Sequence, residues 1–192
     1  GADFFVSVDQ STGIITIIHG STEFTIGEAG VTGTDANLGG TTLLDVFTSI
    51  IGAQGQDSVV GSSAPDMFMG NAGNDHFQGE GGDDTIFGND GSDHLVGMGG
   101  ADLIYGGGGG DELHGMEGAD TIHGDSGAEY ITGGAGADLI YGGADDDHLS
   151  GGWEDGASDT IWSGTGNDLV FGYGGDDLLY GEDGWDLIDG GD

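Results

Sequence analysis

The chain has 192 residues and lacks any lysine or arginine, while it carries 36 acidic residues and a formal charge of −36. Ordinary domains mix both signs. Here no internal counter-ion exists. Nucleic acid is excluded as a partner, because phosphate recognition rests on Lys and Arg that neutralise the backbone. Anionic membrane surfaces are excluded for the same reason. Cysteine is also absent, which removes the disulfide and the thiolate zinc site as ways to staple a small core, and leaves the redox compartment open. No apolar run is long enough to span a bilayer, and no signal peptide is recognisable. The chain opens on Gly1 rather than Met, which points to processing, truncation or an incomplete sequence. No HExxH, GxSxG or phosphate-loop motif occurs, so an enzyme is not expected.

What the chain has is glycine, 47 residues of it, in a fixed arrangement. The pattern GGxGxDxUx, with U a large apolar residue, recurs fifteen times between Gly52 and Asp189. Consecutive copies run GNAGNDHFQ from Gly70, GEGGDDTIF from Gly79, GNDGSDHLV from Gly88 and GMGGADLIY from Gly97. The sixth place holds Asp57, Asp66, Asp75, Asp84, Asp93, Asp102, Asp111, Asp120, Glu129, Asp138, Asp147, Asp159, Asp168, Asp177 and Asp186. The eighth runs Val59, Phe68, Phe77, Ile86, Leu95, Ile104, Leu113, Ile122, Ile131, Ile140, Leu149, Ile161, Val170, Leu179 and Ile188, with no polar intruder. Self-similarity at a fixed period argues for a stacked solenoid rather than a compact globule.

Each repeat reads as a glycine-rich turn of six residues followed by a three-residue strand. Glycine permits positive φ angles and close backbone approach, at Gly70 and Gly73, Gly79 and Gly82, Gly88 and Gly91, Gly97 and Gly100, Gly106 and Gly109, Gly115 and Gly118, Gly133 and Gly136, and Gly172 and Gly175. The apolar eighth residue points inward and its neighbours outward. Two repeats make one coil, and the core is a thin column. Self-repulsion and abundant glycine favour a disordered chain, since ordering a backbone residue costs roughly 1–2 kcal/mol. Cations must supply the deficit.

Those cations are expected to be calcium. Ca²⁺ takes oxygen ligands from carboxylates and backbone carbonyls, and a repeated Gly-x-Asp turn offers both. A single Asp-rich turn would be ordinary turn chemistry. Fifteen stacked copies without a cationic side chain would instead repel at roughly 5 Å spacing. Zinc and copper do not suit turns that offer only oxygen.

At this point the chain resembles the RTX (repeats-in-toxin) family, over about 70% of its length. The resemblance implies an all-β fold, a right-handed parallel β-roll with 18 residues per coil. It also implies that each ion sits between the turns of repeats n and n+2, held by sixth-place carboxylates and turn carbonyls. Asp75 and Asp93 would flank one ion, and Asp84 and Asp102 another on the opposite edge. In the limit about 13 ions would bind and bring −36 to about −10. Export through a type I channel is implied as well, with the chain unfolded at low cytosolic calcium and folding outside, where such sites bind with dissociation constants on the order of 10⁻⁴ to 10⁻³ M. Ice binding would need a regular Thr/Asx row, which the fifth place, with Gln56, Pro65, Asn74, Asp83, Ser92, Ala101 and Gly110, does not supply.

Departures from the pattern mark places where ions should be weaker or missing: Ala64 in GSSAPDMFM, Glu129 in GDSGAEYIT, Asp145 in GGADDDHLS, three extra residues in GGWEDGASDTIW, and Ser163 opening the repeat after it.

Alternate repeats belong to different sheets. On the even sheet the ninth place gives Met69, Phe87, Tyr105, His123, Tyr141, Trp162 and Tyr180, beside a seventh place of Met67, Thr85, Leu103, Thr121, Leu139, Thr160 and Leu178. A contiguous apolar face of this kind marks an interaction surface. The N-terminal residues, a second protein chain through self-association or another extracellular partner, or a polysaccharide stacked on the aromatic row would each cover it. On the odd sheet, His76 and His94 are expected to be neighbours and are read as a solvated pair rather than a transition-metal site.

Residues 1–51 form a separate unit: FFVSV, IITIIH and EFTI read as a β-meander, followed by a Gly/Thr-rich connection and an apolar segment, Leu43 to Ile51. The unit is expected to cap the first coil, with residues 52–192 as the roll. The closing Gly190 to Asp192 begins a sixteenth repeat, which suggests either a longer native chain or completion by the next protomer in a filament. Two functions follow as expectations: an extracellular calcium-folded structural protein that self-associates, or an accessory module of a longer secreted protein that aids export or binds a glycan.

Overall fold

The computed structural model describes residues 4–9, 14–19, 22–26, 50–52, 54–152 and 156–191. Strands β1 (Phe4–Asp9), β2 (Ile14–His19) and β3 (Thr22–Ile26) form an antiparallel meander of their own, in the order β1-β2-β3. Residues 27–49 lie outside the described part, and so does the proposed contact between this meander and the first coil.

The remainder is an all-strand parallel β-solenoid of about seven turns, with no helix among the described residues. One sheet takes the even repeats: Ile50–Ile51, Met67–Ala72, Thr85–Asp90, Leu103–Gly108, Thr121–Ser126, Leu139–Ala144, Thr160–Gly166 and Leu178–Tyr180 in spatial order, with Asp183–Gly184 also on Thr160–Gly166. The other takes the odd repeats, from Ser58–Val60 and His76–Gln78 through His94–Gly99, Glu112–Glu117, Tyr130–Ala135, His148–Gly152 and Leu169–Tyr173 to Leu187–Asp189. The register advances 18 residues per coil, as in Ile104 beside Ile122 and Leu113 beside Ile131. Across the three extra residues it becomes 21, with Ile140 beside Ile161, and then returns to 18. The insertion is therefore absorbed outside the ladder.

The eighth-place column is the core. From Val59 to Val170 its thirteen members are at most 2% exposed. Leu179 is partly buried and Ile188 is exposed, because no coil of this chain is stacked over them. Phe68 and Phe77 stack face to face at 4.9 Å where the two inner rows meet near the first coils. Among the described residues there is no second core layer, so the roll is held mainly by its backbone ladders and its turns.

The strands are longer than the three residues expected. Eight of them, from Met67–Ala72 to Leu139–Ala144, run six residues, through places seven to nine and on through the first three places of the next repeat, with alternating burial as in Leu103–Gly108. The reason lies at the first-place glycine, which is buried and faces inward. A Cβ on Gly97 would collide with the carboxylate of Asp102 and the carbonyl of Gly115. This glycine thus marks close approach inside a strand, not a turn. The fourth-place glycine is the true turn residue. Gly118 has φ +137°, and a Cβ there would strike the Gly100 carbonyl one coil back.

Candidate metal centre

In most repeats the second place also adopts positive φ, carried by Asn71, Glu80, Asn89, Met98, Met116, Asp125, Tyr173 and Glu182 where glycine is not used. At the second and fourth places the carbonyl oxygen reaches toward the equivalent residue one coil on: Asn89 toward Gly107, Gly73 toward Gly91, Gly91 toward Gly109. The regular turns among the described residues therefore line their gaps with backbone oxygens. Alternation between left-handed and extended residues is what aims them along the roll axis rather than into the sheet ladder.

The sixth-place side chains complete the oxygen set. Each is buried, from Asp57 through Asp168. One oxygen accepts the backbone N–H of the sixth-place residue one coil earlier. On the even edge this ladder is continuous: Asp66 donates to Asp84, Asp84 to Asp102, Asp102 to Asp120, Asp120 to Asp138, Asp138 to Asp159 and Asp159 to Asp177, at 2.8–2.9 Å. On the odd edge it runs Asp57 to Asp75, Asp75 to Asp93 and Asp93 to Asp111, then resumes from Glu129 to Asp147, Asp147 to Asp168 and Asp168 to Asp186. The expected pairs, Asp75 with Asp93 and Asp84 with Asp102, are thus direct neighbours on opposite edges.

The second carboxylate oxygen is the informative one. In Asp75, Asp84, Asp93, Asp102, Asp111, Asp120, Asp168 and Asp177 it is buried without a hydrogen-bond partner. Buried polar atoms in native proteins are satisfied, and an unpaired buried charge is costly. Burial accordingly pushes Asp84 up to about 7 and Asp75, Asp111 and Asp120 to about 6, with neighbouring carboxylates adding to the effect. Asp93 and Asp102 move in the same direction for the same main cause. A column of orphaned anionic oxygens beside stacked carbonyls fits a hard divalent cation and nothing that binds through nitrogen or sulfur.

The irregular repeats differ from one another. At Asp66, Ser62 does part of the work of a cation: its backbone N–H and hydroxyl donate to Oδ2 at 2.7 and 3.1 Å. Ser163 fills the buried first place and donates to the Gly181 carbonyl at 2.8 Å. Asp145 simply adopts the positive φ of the glycine it replaces, 80°. Residues 153–155 of the insertion lie outside the described part, yet Asp159 still accepts from Asp138 across it.

Glu129 is the one break in the ladder among the described residues. Asp111 N–H does not reach it, and its buried carboxyl lies instead beside that of Asp147. Burial and the adjacent Asp147 carboxyl push Glu129 well up, and Asp147 rises with it. The extra methylene carries the carboxylate past the donor that an Asp would meet. Glu129→Asp is therefore expected to rejoin the odd ladder. One charge-assisted hydrogen bond, about 1.5 kcal/mol, should raise the calcium-loaded thermal midpoint by roughly 3–6 °C, measured by calorimetry against Glu129→Gln, which should show no gain.

The even-sheet ladder is present, but its rings are turned. Phe87, Tyr105, His123, Tyr141, Trp162 and Tyr180 stack on one another at 4.5–5.3 Å, within 7° of parallel. Each interior ring has its faces covered by the coils on either side and is only half-buried. The face therefore offers ring edges and Tyr hydroxyls, not the open ring faces on which a sugar would stack. His123 lies within the stack, where burial lowers its pKa.

Fold and donor set together define a parallel β-solenoid built to hold divalent cations along both edges. The family model for the RTX calcium-binding nonapeptide repeat matches four times, over residues 60–95, 87–122, 123–156 and 162–192. The chain belongs to this family, and its repeats bind calcium. The RTX roll is a structural calcium-binding module rather than a catalytic one. Comparison with curated proteins returned no match.

Proposed function

We propose that this chain is an extracellular structural protein whose roll, residues 52–192, folds on calcium and then associates laterally with copies of itself. The observation that carries the first half is the column of buried carboxylate oxygens without partners in a chain that has no Lys or Arg. Asp57, Asp66, Asp75, Asp84, Asp93, Asp102, Asp111, Asp120, Glu129, Asp138, Asp147, Asp159, Asp168, Asp177 and Asp186 would hold the ions together with turn carbonyls, up to about 13 in number. Each ion would supply the positive charge that links one turn to the next, so that binding energy is folding energy. Extracellular calcium suits the affinity of such sites, on the order of 10⁻⁴ to 10⁻³ M, and export in an unfolded state by the type I route is part of the same reading.

Lateral association is supported by the even-sheet face. Its seventh and ninth places hold no carboxylate, in a chain with 36 of them. Met67, Leu178 and Tyr180 are exposed there. Two strongly anionic rolls approach most readily through a face that carries few charges, and exposed apolar surface rewards that contact. In saturating calcium, sedimentation velocity should show assemblies that grow with concentration, and Tyr105→Ser with Tyr141→Ser should weaken them while calcium-induced folding persists. A monomer at every concentration would reject self-association. It would leave the second reading, an accessory module within a longer secreted protein, supported by the same calcium column.

A further inference from the structure

The odd sheet carries a different chemistry on its outer face. Glu112 pairs with His94 one coil back, and His114 follows Glu112 by two residues on the same strand, so all three side chains share the outer face. Glu112 Oε1 lies 3.2 Å from His114 Nε2, and Oε2 lies 3.7 Å from His94 Nδ1. One ligand atom from each residue falls within 4.8 Å of the others. This is not the His76–His94 pair read from the sequence. His76 does rest edge-on against His94, at 4.7 Å between ring centres, but the carboxylate and the second imidazole that face His94 come from the next coil.

We propose that His94, Glu112 and His114 form a surface site for a divalent transition ion of the Zn²⁺ type, separate from the calcium turns. Two imidazoles and one carboxylate are the ligand set of open zinc sites, which leave a fourth position for water or an outside donor. Calcium does not compete well, since it takes oxygen ligands in larger number. With Zn–N and Zn–O distances of about 2.0–2.2 Å, the ligand atoms must close to roughly 3.3 Å apart. The widest separation therefore has to shrink by about 1.5 Å, which rotation of side chains 21–53% exposed allows. Neighbouring sites differ in kind, because Tyr130 follows Glu112 and Val96 precedes His114 in the sheet register. The ion would tie two adjacent coils together on the face that the calcium edges do not reach.

The test is zinc chloride titrated into the full chain held in excess calcium, followed by calorimetry and by imidazole resonances in NMR. One equivalent should bind, shifting the ring signals of His94 and His114. Substituting both, as His94→Gln with His114→Gln, should weaken binding by at least about tenfold, the lower bound set by loss of a mere supporting partner. His148→Gln, on the same sheet, should leave it unchanged. Zinc binding that survives the double substitution, loss upon His148→Gln, or unshifted His94 and His114 signals in the wild-type chain would each overturn the proposal. The wild-type spectrum decides the matter even if a variant folds poorly.

Discussion

In excess chelator at pH 7.5, the β circular-dichroism signal of the roll should vanish, and the radius of gyration should rise toward about 45 Å, the unfolded scaling for a chain of 192 residues. The expectation rests on what is missing from the folded state once calcium is removed. The core is a column of thirteen buried side chains, too thin to order so many glycine-rich residues. Along each edge the sixth-place carboxylates are withdrawn from water, and nothing on the chain can neutralise them. An unpaired buried charge costs several kcal/mol even after relaxation, and the roll repeats that cost from Asp75 through Asp84, Asp93, Asp102 and Asp111 to Asp120. Calcium should restore the signal with a steep midpoint, because each bound ion orders the turn on which the next one depends. Magnesium should not, since it demands small octahedral sites and sheds water reluctantly. Full β signal in calcium-free buffer would end the view that the ions hold the roll.

The fold was legible to an unusual depth because its unit is nine residues long and each place does one thing. The eighth-place column, the sixth-place carboxylates and the split into odd and even sheets could all be read by counting. Strand length could not. Glycine at the first place reads as a turn residue, whereas Gly97 sits inside a strand because the Asp102 carboxylate leaves no room for a Cβ. The second-place conformation was equally hidden, since Met98 and Met116 give no hint of positive φ.

At the irregular repeats the sequence marked the places but not what happens there. Glu129 breaks a ladder, whereas Ser62 substitutes protein donors for part of a cation's work and Ser163 merely fits. These outcomes turn on a methylene or a hydroxyl position. The aromatic row was visible, but its ring orientation follows from the strand spacing, which stacks each ring on the next. The His94, Glu112 and His114 cluster could have been found by writing the chain in rows of 18 and reading diagonally as well as down the columns.

Acid should do to the calcium-free chain part of what calcium does. The folded carboxyls are raised above the usual carboxylate value near 3.8, Asp84 to about 7 and Asp75, Asp111 and Asp120 to about 6, chiefly by burial. A group whose pKa is higher folded than unfolded favours folding fully below its unfolded value, and that contribution is lost as pH rises through the folded value. For these residues the loss runs from about pH 4 to about pH 7. In buffer stripped of calcium beforehand and kept so by a large excess of chelator, β signal should therefore grow as pH falls from 7.5 to 5. The calcium-loaded protein should show the opposite slope, because protons and calcium compete for the same oxygens. Stopping at pH 5 keeps the chain clear of its isoelectric point near 4.1, and sedimentation at each pH separates folding from precipitation. Calcium-free β signal that stays flat or falls between pH 7.5 and 5 would show that the buried carboxylates are not what keeps the empty roll open.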